Sequence, residues 1–455
     1  MDNRIISIID TGAIPGAEAD QSAAIQRALD EVWKQGGGTV EIPAGKYNIG
    51  SIRIRSNTTL LLRSGVELYG SRNPEDYNIF QNETLEPLPE DWLTDKDWEP
   101  FVKGVTRCYD FMRKPGGRWG NAMIRAISAE NIAIIGEEGS VIDGRDCYDE
   151  RGEERYRGPH GISMHHCKNV SFSGYTIRNT GNWAHCIFNT DGISMKGVTV
   201  LAGHDGIHMT SSSNIDISDS SFYTGDDCIA GFANVDVRVE HCTCNTACSG
   251  MRFGGTNVRI NECTFFGPAQ YFFRGSLSLE EKINGAQPTA PHRKNMLCMF
   301  KYYADFSVDI PLQPGNIIIK NCRVENVDRF MNYNFSGNEK WQSNRPLKSI
   351  CFENIKADGI GMPLTAYGSA DEPLLLELRG VDISFREDAE GAPFLRTANF
   401  EKILLEEVTI RGIKNAPLIK TWTKGGDITL RNVTSGVPDN EKIVFTDEPF
   451  MSKAF

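Results

Sequence analysis

The chain has 455 residues, of which 40% are hydrophobic and 24% charged, an ordinary globular composition that allows a large buried core and argues against disorder. Its formal charge of −12 speaks against nucleic acid and anionic membrane surfaces as general partners, so an anionic substrate would need locally placed positive charge. No run approaches the roughly 18 apolar residues of a membrane span, and the opening MDNRIISIIDTGAIPG lacks the apolar core and small-residue cleavage site of a secretion signal. A cytoplasmic protein is therefore expected. The twelve cysteines fit that compartment, because they sit singly inside strand-like runs, among them Cys167, Cys186, Cys263, Cys322 and Cys351, and form no short-loop disulfide framework.

The first predicted element is a helix within DQSAAIQRALDEVWKQGGG. Ala23, Ile25, Ala28, Leu29 and Val32 make its apolar stripe, Asp20 its acidic start and the glycines its end. The following stretch, GGGTVEIPAGKYNIGSIRIRSNTTLLLRSGVELYG, reads as short strands with polar turns. From there a repeat dominates. Ile207, Ile229, Met251 and Phe273 recur at a constant step of 22, each followed by a turn and a second strand. An asparagine precedes that second strand at Asn169, Asn214, Asn257 and Asn316. A period near 22 is too short for paired helices and fits one coil of a right-handed parallel β-helix.

The expected fold is thus all-β, a single domain over 1–455 with the N-terminal helix capping the open end, where bare strand edges would invite aggregation. Two stretches break the cadence, near 81–120 and near 276–313, and are expected to be loop insertions on a binding face.

Coil periodicity gives meaning to the adjacent aspartates of FYTGDDCIA. Asp205 precedes one strand and Asp227 the equivalent strand 22 residues later, so the two are expected to stack about 4.8 Å apart. Asp226 lies at the turn just before. Three crowded carboxylates hold different proton affinities, which is what hydrolysis of a glycosidic bond requires: one acid for the leaving oxygen, carboxylates for water. A solvated turn, or a Ca²⁺ site, is the alternative. The literal string NTDG at 189–192 would nominate Asp191. Aligning Ile187 with Ile207 instead puts Asp191 in a turn level with Ser211.

The stretch HDGIHMTSSSNIDISDSSFYTGDDCIA resembles glycoside hydrolase family 28, the polygalacturonase family, in which an Asn-Thr-Asp-Gly element precedes Gly-Asp-Asp-Cys by about 20 residues. The opening IIDTGAIPGAEADQSAAIQRALDEVWKQGGGTVEIPAGKY, then GSVIDGRD and HGISMHHCKNVSFSGYTIRNTGNWAHC, follow the family's order. The resemblance implies a right-handed parallel β-helix and inverting hydrolysis of a pectin-type saccharide, with Asp226 as general acid and Asp205 and Asp227 activating water. No cofactor or metal is implied. A saccharide is the expected partner, and short imported oligosaccharides attacked at a chain end suit a cytoplasmic enzyme.

The sequence also departs from the family. Where a Gly-His-Gly is usual it has NTACSGMRFGG, with Ser249, or Cys248, in place of the histidine, and no Arg-x-Lys follows. Arg252 and Arg274, 22 residues apart, are candidates to clasp a substrate carboxylate as a stacked pair, or else lie on an exposed face. His208 falls in one column with positions 230 and 252, and Trp183 is a candidate platform for a sugar ring or a cover for the coil edge. Tyr302 and Tyr303 raise the same question for a lid. Zinc at His241, Cys242, Cys244 and Cys248 is disfavoured, since a strand turns Cys242 and Cys244 inward together. Two other classes stay open: a polysaccharide lyase or uronate epimerase, and a carbohydrate-binding β-helix without turnover.

Overall fold

A computed structural model describes residues 4–77, 118–284, 294–304, 312–335 and 345–448. The expected insertion at 81–120 lies almost wholly outside them, as does part of that at 276–313. Contacts group the chain into two compact units. One comprises Met1–Asp226 with Tyr271–Arg293, the other Asp227–Gln270 with Lys294–Phe455.

In the first unit the helix Ser22–Lys34 buries Ala24, Ile25, Ala28, Leu29 and Val32. Ala24 takes the place expected of Ala23, which is exposed. The Asp20 carboxylate accepts the Ser22 amide at 2.6 Å. The helix packs on strands Gly38–Ile42 and Ile52–Arg53, covering apolar edges of the first coil. Three parallel ladders then run through the unit. One carries Ile52–Arg53, Ala122–Ile127, His160–His165, His185–Phe188 and Ile207–Thr210 in succession. A second runs from Gly38–Ile42 to Ser213–Ser218, and a third from Gly45–Ile49 to Ser221–Thr224. Three strands per coil, all parallel, make a β-helix. Alternate residues such as Ile162, Met164, Ile187 and Met209 fill its interior, each such side chain contributing about 1.5–3 kcal/mol by leaving water.

Asparagines turn the corners. Asn57, Asn131 and Asn169 all adopt left-handed φ near 55°, a conformation their short side chains tolerate. Their amides link coil to coil, Asn131 to Asn57 at 2.8 Å and Asn169 to Asn131 at 3.0 Å.

The second unit repeats the plan. Ser249–Asn261 pairs in parallel with Ile229–Glu240 and with Met296–Tyr302, and coils continue to Ile443–Phe445. Here the expected interior column needs correction. Ile229 does face Met251, but Met251 faces Phe300. Phe273 belongs to no strand, because after Thr264–Phe266 the chain leaves the coil and re-enters only at Met296. The step of 22 at that point is a coincidence of loop length. A second correction concerns Ile187, which pairs with Met209 while Ile207 pairs with His185.

Candidate active site

Asp205 lies just before strand Ile207–Thr210 in the first unit and is fully buried. Its Oδ2 meets His208 Nδ1 at 2.9 Å. That imidazole stacks on Trp183, with ring centroids 3.8 Å apart and planes 6° from parallel, and Trp119 meets Trp183 edge-on at 5.0 Å. An aromatic pile therefore fixes the histidine that holds the aspartate. Trp183 is only 2% exposed, so it is not the sugar platform expected of it, and His208 is engaged by Asp205.

Asp226 follows strand Ser221–Thr224. The Thr224 hydroxyl donates to the Asp226 carbonyl at 2.6 Å, which sets the turn. The Asp226 side chain keeps 13% exposure and lies 3.5 Å from the Arg157 guanidinium. Gly225 is required by proximity, since a Cβ there would sit 1.9 Å from the Phe272 carbonyl oxygen. Gly203 is required in the same way by the Arg274 side chain. Arg274 itself occupies a 3₁₀ turn, Arg274–Ser276, and pairs with Asp146 at 3.1 Å. It is not the strand partner of Arg252, whose neighbour on the next coil is Lys301.

Asp227 opens the second unit. It is buried, its Oδ1 accepts the Ser249 amide at 3.0 Å, and its Oδ2 lies 2.6 Å from Arg252 Nε. Burial alone pushes this carboxyl up. The Arg252 charge and hydrogen bonds from Cys248 and Ser249 outweigh it, and the group is held below the ordinary carboxylate value. Arg252 in turn lies 4.4 Å from the centre of the Tyr303 ring, a cation–π contact. Arg252 and Ser249, expected to touch substrate, both hold Asp227. Tyr302 and Tyr303 are fully buried and form no lid.

Asp191, set aside on periodicity, begins strand Asp191–Lys196, is exposed, and accepts from Ser213 and Asn214 at 2.7 and 2.6 Å. It extends the polar corner stack. Its register partner is Ser213, where Ser211 was expected. Sequence reasoning missed Arg157, in the charged stretch preceding His160. Its signal was that an unusually long, charged link joins two ladders there.

Cys242 and Cys244 are buried, as expected for interior side chains.

Residues 113–262 match the family model of glycosyl hydrolases family 28. A probable polygalacturonase of Vitis vinifera is 26% identical over 236 residues, covering 49% of this chain and 43% of that protein. The chain spans less than half the length of the curated relatives it matches. Among solved structures, a hyperthermoactive exopolygalacturonase from Thermotoga maritima superposes with a TM-score of 0.60 at 17% identity, covering 89% of this chain and 92% of that one. The family 28 exopolygalacturonase of Yersinia enterocolitica gives 0.61 at 16%, covering 96% and 79%. These likenesses establish the right-handed parallel β-helix, and the segment that is similar to glycosyl hydrolases family 28 runs through Asp205, Asp226 and Asp227.

Proposed function

We propose that the protein is an inverting glycoside hydrolase acting on pectin-derived galacturonides from a chain end. The observation that carries this reading is the unequal setting of adjacent carboxylates inside the family segment: Asp227 is buried and held ionised by Arg252, while Asp226 keeps contact with solvent. An ionised, immobile carboxylate suits the removal of a proton from water. A reachable one suits delivery of a proton to the glycosidic oxygen.

In this mechanism Asp226 protonates the leaving oxygen as the glycosidic bond breaks, and the carboxylate left behind faces Arg157. Asp227 takes a proton from the attacking water, and Asp205, steadied by His208, orients it. Direct attack by water inverts the anomeric centre. Attack from a chain end is supported by the two exopolygalacturonases of the same fold.

The test is incubation with pectic oligosaccharides, with products resolved by size and by anomeric proton signals. New reducing ends of inverted configuration are expected, with no unsaturated product absorbing in the near ultraviolet. Asp226→Asn should lower turnover about 10²- to 10⁴-fold, and an activated leaving group should restore part of it. Retained configuration, an unsaturated product, or near-normal turnover in that variant overturns the reading.

A further inference from the structure

Beside Asp226, the first unit gathers positive charge in excess of its partners. Lys282, on the short helix Leu279–Ile283, is only 4% exposed. Its ammonium donates to the Arg155 carbonyl and lies 6.0 Å from the Tyr156 ring centre. No carboxylate pairs with it among the described residues. The other cations near it are committed: Arg274 to Asp146, and Arg157 to Glu154 at 3.2 Å and Asp226 at 3.5 Å. Arg155 donates to the Gly275 carbonyl at 2.7 Å. His204, also facing this group, is buried and held well below its ordinary value by that burial and by the neighbouring cations, so it stays neutral and adds no further positive charge.

We infer that Lys282, flanked by Arg157 and Arg274, is a receptor for the carboxylate of a uronic acid residue, an inference that rests on the pectic reading of the site. A buried ammonium without a counter-ion is costly, and proteins retain one where a ligand supplies the missing charge. The position also fits. Arg157 bridges this cluster to Asp226, so a sugar whose glycosidic oxygen lies at Asp226 can set a carboxylate against the lysine. Burial and the charges of Arg274, Arg157 and Arg155 lower the Lys282 ammonium to about 8. A carboxylate arriving there both neutralises the crowd and returns the proton-bound form to stability. The helix is pinned by a capping box between Ser278 and Glu281.

The experiment is calorimetric titration with galacturonic acid and with its freshly dissolved methyl ester, neither of which has a glycosidic bond to cleave. Removing a charge-assisted hydrogen bond costs about 10- to 100-fold in affinity. Lys282→Met should therefore weaken galacturonic acid binding by that factor and leave the ester unchanged. In the wild type, the Kd for the acid should rise as pH passes through about 8, with the ester flat. Lys282→Arg, always charged, should bind the acid with no such step, which decides the matter even if Lys282→Met does not fold. Equal loss for acid and ester, or an unchanged step in Lys282→Arg, overturns the inference. Because these readings need no turnover, they can succeed where the hydrolase reading fails, and fail where it succeeds.

Discussion

At the scale of single residues, Asp227 and Arg252 form the arrangement with most at stake. Breaking a buried pair by removing one partner costs about 3–5 kcal/mol, because the other charge stays behind. Arg252→Met should show that loss in urea unfolding, with activity falling alongside. The pH dependence has a definite sign. Since Asp227 is depressed in the folded protein, its stabilisation is complete above the ordinary carboxylate range, about pH 4, and fades as pH falls through the lower folded value. Without Arg252, burial prevails and the carboxyl shifts upward. The acid limb of kcat/KM should then move to higher pH, and an unmoved limb would refute the assigned partnership. The places of Asp205 and Asp227, each two residues before a strand, were legible because their spacing matched the coil step. The pairing of Arg252 with Asp227 was not legible, because sequence spacing locates a backbone, while a long side chain chooses its own partner. Lys282 left no periodic trace at all, since its neighbours come from 155–157, 204 and 274.

Elements explain where sequence reading held and where it slipped. Three-strand coils with asparagine corners impose a short period on buried residues, and that period was visible from Lys168 onward. It failed at Phe273 because an insertion obeys no period, and it misaligned Ile187 with Ile207 because a gap of 20 was accepted where the ladder runs on 22, Ile187 to Met209. The same insertion explains the glycine of Gly-Asp-Asp-Cys. Residues 271–276 pass so close that Gly225 has room for no Cβ. Gly225→Ala must therefore displace either that segment or the turn bearing Asp226, and misplacement of about 1 Å in a catalytic group costs on the order of 10²-fold in rate. Gly425, where a Cβ would meet nothing within 4 Å, is the control, and Gly425→Ala should leave kcat at the wild-type value. Equal kcat in the two variants would discount the close approach.

At the scale of the whole molecule, a formal charge of −12 would oppose an anionic saccharide at long range, while the proposed receptor of Arg157, Arg274 and Lys282 would attract it only at contact. Salt separates the two effects, since exposed charges are screened beyond about 10 Å at 0.1 M ionic strength and buried ones far less. For pectic oligosaccharides, kcat/KM should rise as ionic strength goes from about 0.01 to 0.15 M, with a fully esterified substrate unaffected. A steady fall with salt would show that the local cluster dominates the field.

The contact between Trp183 and His208 has one more consequence. An indole stacked face to face on an imidazole loses its excited state to that neighbour, so the emission of Trp183 depends on how His208 is oriented and charged. His208 in turn holds Asp205. The chain has seven tryptophans, so the difference in emission between the wild type and Trp183→Phe is the optical signal that reports the alignment of His208 and, through it, of the carboxylate it holds.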